Sequence, residues 1–97
     1  MNIEFQAINY VADQKLIDYA QKRVEKLAHF FDPIITTQLF TKVEKNDDRL
    51  NKFVELKLVV PGENMIVKKT AKSFEAAISA AVEAAKRVLK KHKEKIR

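Results

Sequence analysis

Apolar and polar positions first alternate along the chain and then change to a helical period. Residues 2–8 alternate in the manner of a half-buried strand, with an apolar face formed by Ile3, Phe5 and Ala7. Apolar residues then recur every three or four positions from Asp13 to Phe31, at Leu16, Ala20, Val24, Leu27 and Phe31. Asp32-Pro33 follows, and proline disfavours helical geometry in the residue before it. The pattern predicts a strand and then a helix over about residues 13–31.

Three more strands are predicted in the middle of the chain. Residues 35–44 are rich in β-forming side chains, and residues 53–60 alternate around the apolar set Val54, Leu56, Leu58 and Val60. Residues 46–51 are predicted to form the loop between them. Pro61-Gly62-Glu63-Asn64 is a strong turn signal that carries the only glycine. Residues 65–71 should therefore return antiparallel as the last strand.

A second helix is predicted from Ser73, which is a candidate N-cap, to the C-terminus. Its apolar face is predicted to contain Phe74, Ile78, Ala81, Ala85, Val88, Leu89 and His92. The order β-α-β-β-β-α predicts an α+β fold, a four-stranded sheet with two helices packed on one face, similar to double-stranded-RNA-binding domains. The first crossover should be right-handed if the first two strands are parallel neighbours. The other sheet face is left to solvent or to a partner.

Length and composition predict one small domain. The 97 residues are 46% apolar and contain no cysteine, so the fold is expected to hold by packing of a single core. The opening residues lack a basic start and a long apolar run, and no apolar stretch approaches membrane-spanning length. A cytoplasmic protein is expected.

Positive charge is concentrated at the C-terminal end. Lys and Arg number 19 against 13 Asp and Glu, and residues 86–97 contain seven bases but only one acid, Glu94. At about 100° per residue, Lys86, Lys90, Lys93 and Arg97 form one stripe of the second helix, and Arg87, Lys91 and Lys95 form another. On the first helix, Lys15, Lys22 and Lys26 form an outer stripe with Arg23 close by. A nucleic acid is the partner that this clustering predicts.

Nine residues are the candidates for contact with RNA: Lys22, Arg23, Lys26, Lys68, Lys86, Arg87, Lys90, Lys91 and Lys93. Lys68 and Lys69 are consecutive in a strand, so one should face the helices and the other the open sheet face. Alternation alone does not decide which.

The sequence leaves several alternatives to specific RNA binding open. In one, the basic side chains of the second helix only face solvent, and their positive charge near the helix C-terminus is favoured by the helix dipole. In another, it lies on a membrane surface, although its apolar face is rich in alanine and committed to the sheet. A protein-interaction module would instead use the open sheet face, with Phe53, Val59 and Phe40. A general binder of structured or double-stranded RNA is a further alternative.

Residues that would indicate catalysis are not arranged at motif spacing. His29 and His92 lie on different predicted helices, Gly62 alone cannot form a phosphate-cradling loop, and Ser73 and Ser79 have no neighbouring base at motif spacing. The sequence predicts no enzyme activity, no metal, no cofactor and no small-molecule substrate.

Several short segments in order resemble a known family. They are Lys26-Leu27 through Phe30-Phe31-Asp32, then Lys42-Val43-Glu44-Lys45, Ala76-Ala77-Ile78, and Arg87-x-Leu89-x-Lys91-His92-Lys93-x-Lys95. Together they resemble the short ribosome hibernation promoting factors, also called ribosome-associated inhibitor A or the sigma-54 modulation protein family. The resemblance spans essentially the whole chain.

The resemblance implies a stress or stationary-phase factor that binds the small ribosomal subunit in the channel for messenger RNA and tRNA and reversibly inhibits translation. Contacts to ribosomal RNA (rRNA) would then fall on Arg23, Lys26, Arg87, Lys91 and Lys93. The chain is expected to be one ribosome-binding domain, residues 1–97, without the C-terminal dimerisation domain of long-form members. Any ribosome dimers would then need a partner such as a ribosome modulation factor.

Departures from the family pattern occur at three places. Ser73-Phe74-Glu75 stands where the family commonly has an acidic-Met-aromatic triplet, and Ala84 stands where a basic residue precedes Arg87 by one turn. Contacts are therefore expected to shift in part to Lys86 and Lys90. Lys69 occupies a strand position that the family tends to fill with a small residue.

Overall fold

The computed structural model describes residues 2–30, 34–44 and 49–95, with side chains for all of these except Asn2 and residues 93–95. Its elements are β1 (Asn2–Ile8), α1 (Gln14–Phe30), β2 (Thr36–Val43), β3 (Lys52–Val60), β4 (Glu63–Ala71) and α2 (Phe74–Lys95). The predicted β-α-β-β-β-α order is therefore confirmed.

The four strands form one sheet in the order β1-β2-β3-β4. β1 pairs with β2 in parallel, while the other two pairs are antiparallel. Register places Phe5, Leu39, Leu56 and Val67 in one row across the sheet, and Leu39 and Leu56 in that row are almost completely buried. Because side chains alternate between faces, this row and its parallel rows form the side that carries the helices.

The two helices pack side by side on that face. Tyr19 donates a hydrogen bond to the Glu75 carbonyl at 3.4 Å, and Arg23 reaches Ser79, so position along α1 rises with position along α2. The helices therefore run in the same direction. Both contribute to one core, in which α1 supplies Ala20, Val24 and Leu27, and α2 supplies Ala77, Ile78, Ala81, Val82, Ala85 and Leu89.

The starts of both helices and the turn between β3 and β4 are explained by the local sequence. The carboxylate of Asp13 accepts a hydrogen bond from the Leu16 N–H at 2.8 Å, and the Ser73 hydroxyl accepts one from the Ala76 N–H at 3.1 Å. Both are N-cap contacts that satisfy a free backbone donor. Gly62 has φ +88, a conformation that glycine adopts without the penalty of a Cβ atom. The turn is tighter than predicted, because Glu63 and Asn64 already belong to β4.

A polar and aromatic contact joins the loop after β1 to the sheet and to α2. The Tyr10 ring stacks on Phe74 with centroids 4.4 Å apart. Its hydroxyl lies 2.6 Å from the Thr41 hydroxyl, which also contacts the Gln6 carbonyl at 2.7 Å. Since Thr41 has one hydroxyl proton and the Gln6 carbonyl can only accept, Tyr10 donates to Thr41 and Thr41 donates to Gln6. Burial raises the pKa of Tyr10, which keeps this donor protonated.

One predicted core residue lies outside the core. Val88 is 39% exposed, whereas the other six members of the predicted α2 face are buried. Val88 lies on the flank of α2 that faces away from α1, and β4 is the last strand of the sheet, so no element of the described structure covers that flank. The prediction for Val88 was wrong for this reason.

Some predicted positions lie outside the described residues. They are Phe31, which was the predicted last core position of α1, Asp32-Pro33, and residues 45–48, which include part of the predicted loop.

Tyr10→Phe should lower the free energy of unfolding by about 1 kcal/mol, because it removes one hydrogen bond and keeps the ring stack. For a domain of this size, that loss lowers Tm by about 4–8 °C. Thermal unfolding followed by circular dichroism measures the shift.

Tyr19→Phe is the matched control, since its hydroxyl makes a longer and more exposed hydrogen bond at 3.4 Å. Its Tm should change much less. Equal shifts for the two variants would contradict a special role for the Tyr10 contact.

Candidate nucleic-acid interface

Exposed cations of both helices lie on the side of the molecule that faces away from the sheet. Lys22 and Lys26 are exposed one turn apart on α1, and Arg87, Lys90 and Lys91 are exposed on α2. The two helices lie side by side, so these five residues belong to one surface, which we call the helical basic surface. Lys93 lies in α2, but its side chain is outside the described residues.

Helical spacing decides how the cations of α2 are distributed. Lys86 follows Ser79 by seven residues, and Lys90 follows Glu83 by seven, which places both on the side of α2 that contacts α1. Arg87 and Lys91 lie about 100° further round the helix than Lys86 and Lys90. The two predicted stripes therefore lie on different sides of α2. The stripe with Lys86 and Lys90 borders the groove between the helices, and the stripe with Arg87 and Lys91 borders the flank beyond β4.

Arg23 lies in the groove between the helices and contacts α2. Its Nη2 donates to the Ser79 hydroxyl at 3.0 Å and contacts Glu83 Oε2 at 3.4 Å. The side chain is only 22% exposed, and its buried Nε has no hydrogen-bond partner in the described structure. Because a guanidinium stays charged, this arrangement links the two helices electrostatically as well as by packing.

Glu83 also pairs with a second cation. The Lys86 ammonium lies 3.2 Å from the same Oε2 atom that Arg23 contacts. The hydrogen bond and charge of Lys86 and, more weakly, the charge of Arg23 lower the pKa of Glu83. This carboxylate is thus a negative charge within the predicted basic surface. Sequence reasoning did not select Ser79 or Glu83 as partners of Arg23, and the signal available for Glu83 was its i,i+3 spacing from Lys86.

Lys68 lies apart from the other candidates. It is on the open sheet face, where its Nζ is 3.8 Å from Glu55 Oε1 and its side chain is 63% exposed. Lys69 pairs in register with the buried Val54 and therefore faces the helices. The structure thus settles the facing of these two lysines, and it places Lys68 on the opposite side of the sheet from the helical basic surface.

Comparison with known proteins identifies the family. The model of the family described as sigma 54 modulation protein / S30EA ribosomal protein matches residues 3–97. The chain belongs to this family. A protein of Pseudomonas putida named ribosome hibernation promoting factor is 33% identical over 95 residues, which cover 98% of this chain and 89% of the relative. The family resemblance seen in the sequence is therefore confirmed.

Two solved structures share the fold of this S30EA-family chain. A ribosomal subunit interface protein from Coxiella burnetii superposes with a TM-score of 0.86 at 15% identity, over 97% of this chain and 99% of that protein. The N-terminal domain of Thermus thermophilus Protein Y gives 0.80 at 20% identity, over 95% and 99%. The α+β fold prediction is confirmed, while the likeness to double-stranded-RNA-binding domains stays a prediction.

The described residues of this family member contain neither a cluster of metal ligands nor a membrane-spanning helix. Within residues 2–30, 34–44 and 49–95, no three His, Asp or Glu side chains come together as metal ligands. None of the helices in these ranges is long and apolar enough to span a membrane. His92 is 9% exposed and its Nδ1 lies 3.7 Å from Glu63 Oε2, in keeping with the packed role predicted for it.

Arg23→Ala should lower the free energy of unfolding by about 1 kcal/mol, because it removes the contacts to Ser79 and Glu83 and part of the packing between the helices. Urea unfolding measures this loss.

Lys22→Ala is the control, since it removes one positive charge from the neighbouring, exposed position. Surface substitutions of this kind change stability by no more than about 0.5 kcal/mol. A Lys22→Ala variant as unstable as Arg23→Ala would show that Arg23 does not link the helices.

Proposed function

We propose that this protein is a non-enzymatic ribosome hibernation factor that binds the small ribosomal subunit through the helical basic surface. The observation that carries the proposal is the exposure of Lys22, Lys26, Arg87, Lys90 and Lys91 on the outer side of two packed helices. Membership of the S30EA ribosomal protein family and the name of the Pseudomonas putida relative support it.

The chemistry of the surface favours rRNA as the contacted component. Lysine and arginine side chains bind phosphate oxygens, release condensed counterions and need no particular base sequence. Folded rRNA presents closely spaced phosphates, so a rigid cationic surface can recognise their placement. The rRNA contacts that we propose are Lys22, Lys26, Lys86, Arg87, Lys90, Lys91 and Lys93, with Arg23 between the helices.

Occupation of the channel for messenger RNA and tRNA is the mode of inhibition that we propose. A domain bound there would exclude both ligands without chemistry, and its release would restore translation. The protein would then act in the cytoplasm, under stress or in stationary phase. A ribosome modulation factor is the further partner that we propose where ribosome dimers form.

The open sheet face supports a second candidate function, a protein-interaction module. Ile66 is 55% exposed on this face, and Phe40 contacts Phe53 edge-on with ring centroids 6.5 Å apart. The same face also carries the polar pairs Glu4 with Gln38 and Glu55 with Lys68. It is therefore less apolar than a typical obligate protein interface.

Charge reversal at two exposed positions of α2, Arg87→Glu with Lys91→Glu, should abolish binding to small subunits. Both side chains point away from the core, so the circular dichroism spectrum and Tm should stay close to those of the wild type. Co-sedimentation with purified small subunits measures the binding.

The matched control is Lys42→Glu with Lys57→Glu, which makes the same change of charge on the open sheet face. The control should still bind. Loss of binding in the control, with binding retained by the Arg87 and Lys91 variant, would favour the sheet-face module instead.

Binding of the wild-type protein should weaken steeply as salt is raised. Each phosphate contact adds about 0.9 to the slope of log affinity against log salt concentration. Titration of small subunits at several potassium chloride concentrations measures this slope. A flat response would contradict a phosphate-based interface.

A further inference from the structure

Glu83 lies at the groove between the two helices, beside the helical basic surface. Its Oε2 lies 3.4 Å from Arg23 Nη2 on α1 and 3.2 Å from Lys86 Nζ on its own helix. Arg87 follows it by one helical turn, and Lys90 by two. The Glu83 side chain is half exposed, at 50%, so it is accessible to solvent and to a molecule bound at this surface.

A carboxylate in this position has two effects on an approaching RNA. It uses part of the hydrogen-bonding capacity of Arg23 and Lys86, and it repels a phosphate that would otherwise contact them. The neighbouring cations lower its pKa, so it remains ionised at neutral pH. The groove between the helices therefore carries a negative charge that lies between a cation of α1 and a cation of α2.

We propose that Glu83 is a specificity-determining residue of the RNA interface, which excludes phosphate from the groove between the helices and accepts a hydrogen bond there from an N–H or O–H group of the bound rRNA. This inference rests on the proposed function. A carboxylate accepts hydrogen bonds from the exocyclic amino group of a base, and the 2′-hydroxyl of RNA is also a donor.

Glu83 discriminates between duplex RNA and a folded rRNA site because the two present their phosphates differently. An arbitrary duplex places a continuous row of phosphates against any basic surface, and one of them would meet Glu83. A folded rRNA site has one fixed arrangement, in which phosphates contact the flanking cations and a donor faces the carboxylate. Glu83 therefore weakens binding to duplex RNA more than binding to the small subunit.

A purely structural role for Glu83 makes a different prediction. Glu83 and Ser79 both contact Arg23 Nη2, so either could hold the guanidinium in place. Ser79→Ala removes one of these contacts without changing the charge of the protein. If the function of Ser79 and Glu83 were only to orient Arg23, Ser79→Ala and Glu83→Gln should have similar effects on the discrimination between duplex RNA and the small subunit.

The test measures the affinity of the full chain for purified small subunits and for a duplex RNA of random sequence, at several salt concentrations. Glu83→Gln keeps a side-chain acceptor and removes the charge. Glu4→Gln is the matched control, because it makes the same change on the open sheet face, where Glu4 accepts a hydrogen bond from Gln38. Thermal unfolding checks that the variants are folded.

Glu83→Gln should bind duplex RNA about fivefold more tightly, with a salt slope steeper by about one, while its affinity for small subunits changes much less. Glu4→Gln and Ser79→Ala should keep the wild-type ratio of the two affinities. Glu83→Ala, which also lacks the acceptor, should bind small subunits more weakly than Glu83→Gln.

Three results would overturn the inference. They are an unchanged ratio in Glu83→Gln, an equal loss of discrimination in Ser79→Ala, and equal small-subunit affinities for Glu83→Gln and Glu83→Ala. Failure of the proposed function is seen separately, because wild-type protein would then show no preference for small subunits over duplex RNA.

Discussion

The packing of α2 across β3 and β4 is the contact on which the rest of the structure depends. The helix turns small side chains, Ala77, Ala81 and Ala85, toward the sheet, and all three are completely buried. Small residues let the helix lie close to the strands, where Leu56, Leu58 and Val67 complete the core. With that face committed, the basic residues of α2 can point only to solvent or to the groove beside α1.

The position of α1 then determines the charge distribution of the helical basic surface. Since the helices run in the same direction, Arg23 meets Ser79 and Glu83. The exposed lysines of α1 and of α2 lie on the side of the molecule that faces away from the sheet. Glu83 directs its carboxylate toward Arg23 and Lys86, on the groove side, and so offsets part of the repulsion among the cations there. Arg87 and Lys91 lie further round the helix and are exposed, which places them well to bind an external anion.

Much of the fold could be predicted from the sequence, because its signals are local. Alternation in β1 and β3, the caps at Asp13 and Ser73, and the glycine turn at Gly62 each depend on a few neighbouring residues. Val88 could not be placed correctly, since its exposure depends on where the sheet ends. The facing of Lys68 and Lys69 required the register of β4 on β3, which a single strand does not reveal.

The candidate site could be predicted only in part, for a related reason. Helical periodicity was enough to select the exposed cations Lys22, Lys26, Arg87, Lys90 and Lys91. The link between Arg23 and Glu83 joins residues 60 positions apart, so it depends on how the helices pack. Charge counting alone therefore predicted basic stripes on both helices and missed the carboxylate that pairs with Arg23 and Lys86 between them.

A cryo-electron microscopy reconstruction of this protein bound to a small ribosomal subunit tests the central claim most directly. We expect α1 and α2 to face rRNA, with Arg87 and Lys91 within contact distance of phosphate oxygens and the open sheet face turned away. A reconstruction in which Phe40, Phe53 and Ile66 on the sheet face form the contact, with the helices exposed to solvent, would contradict that claim.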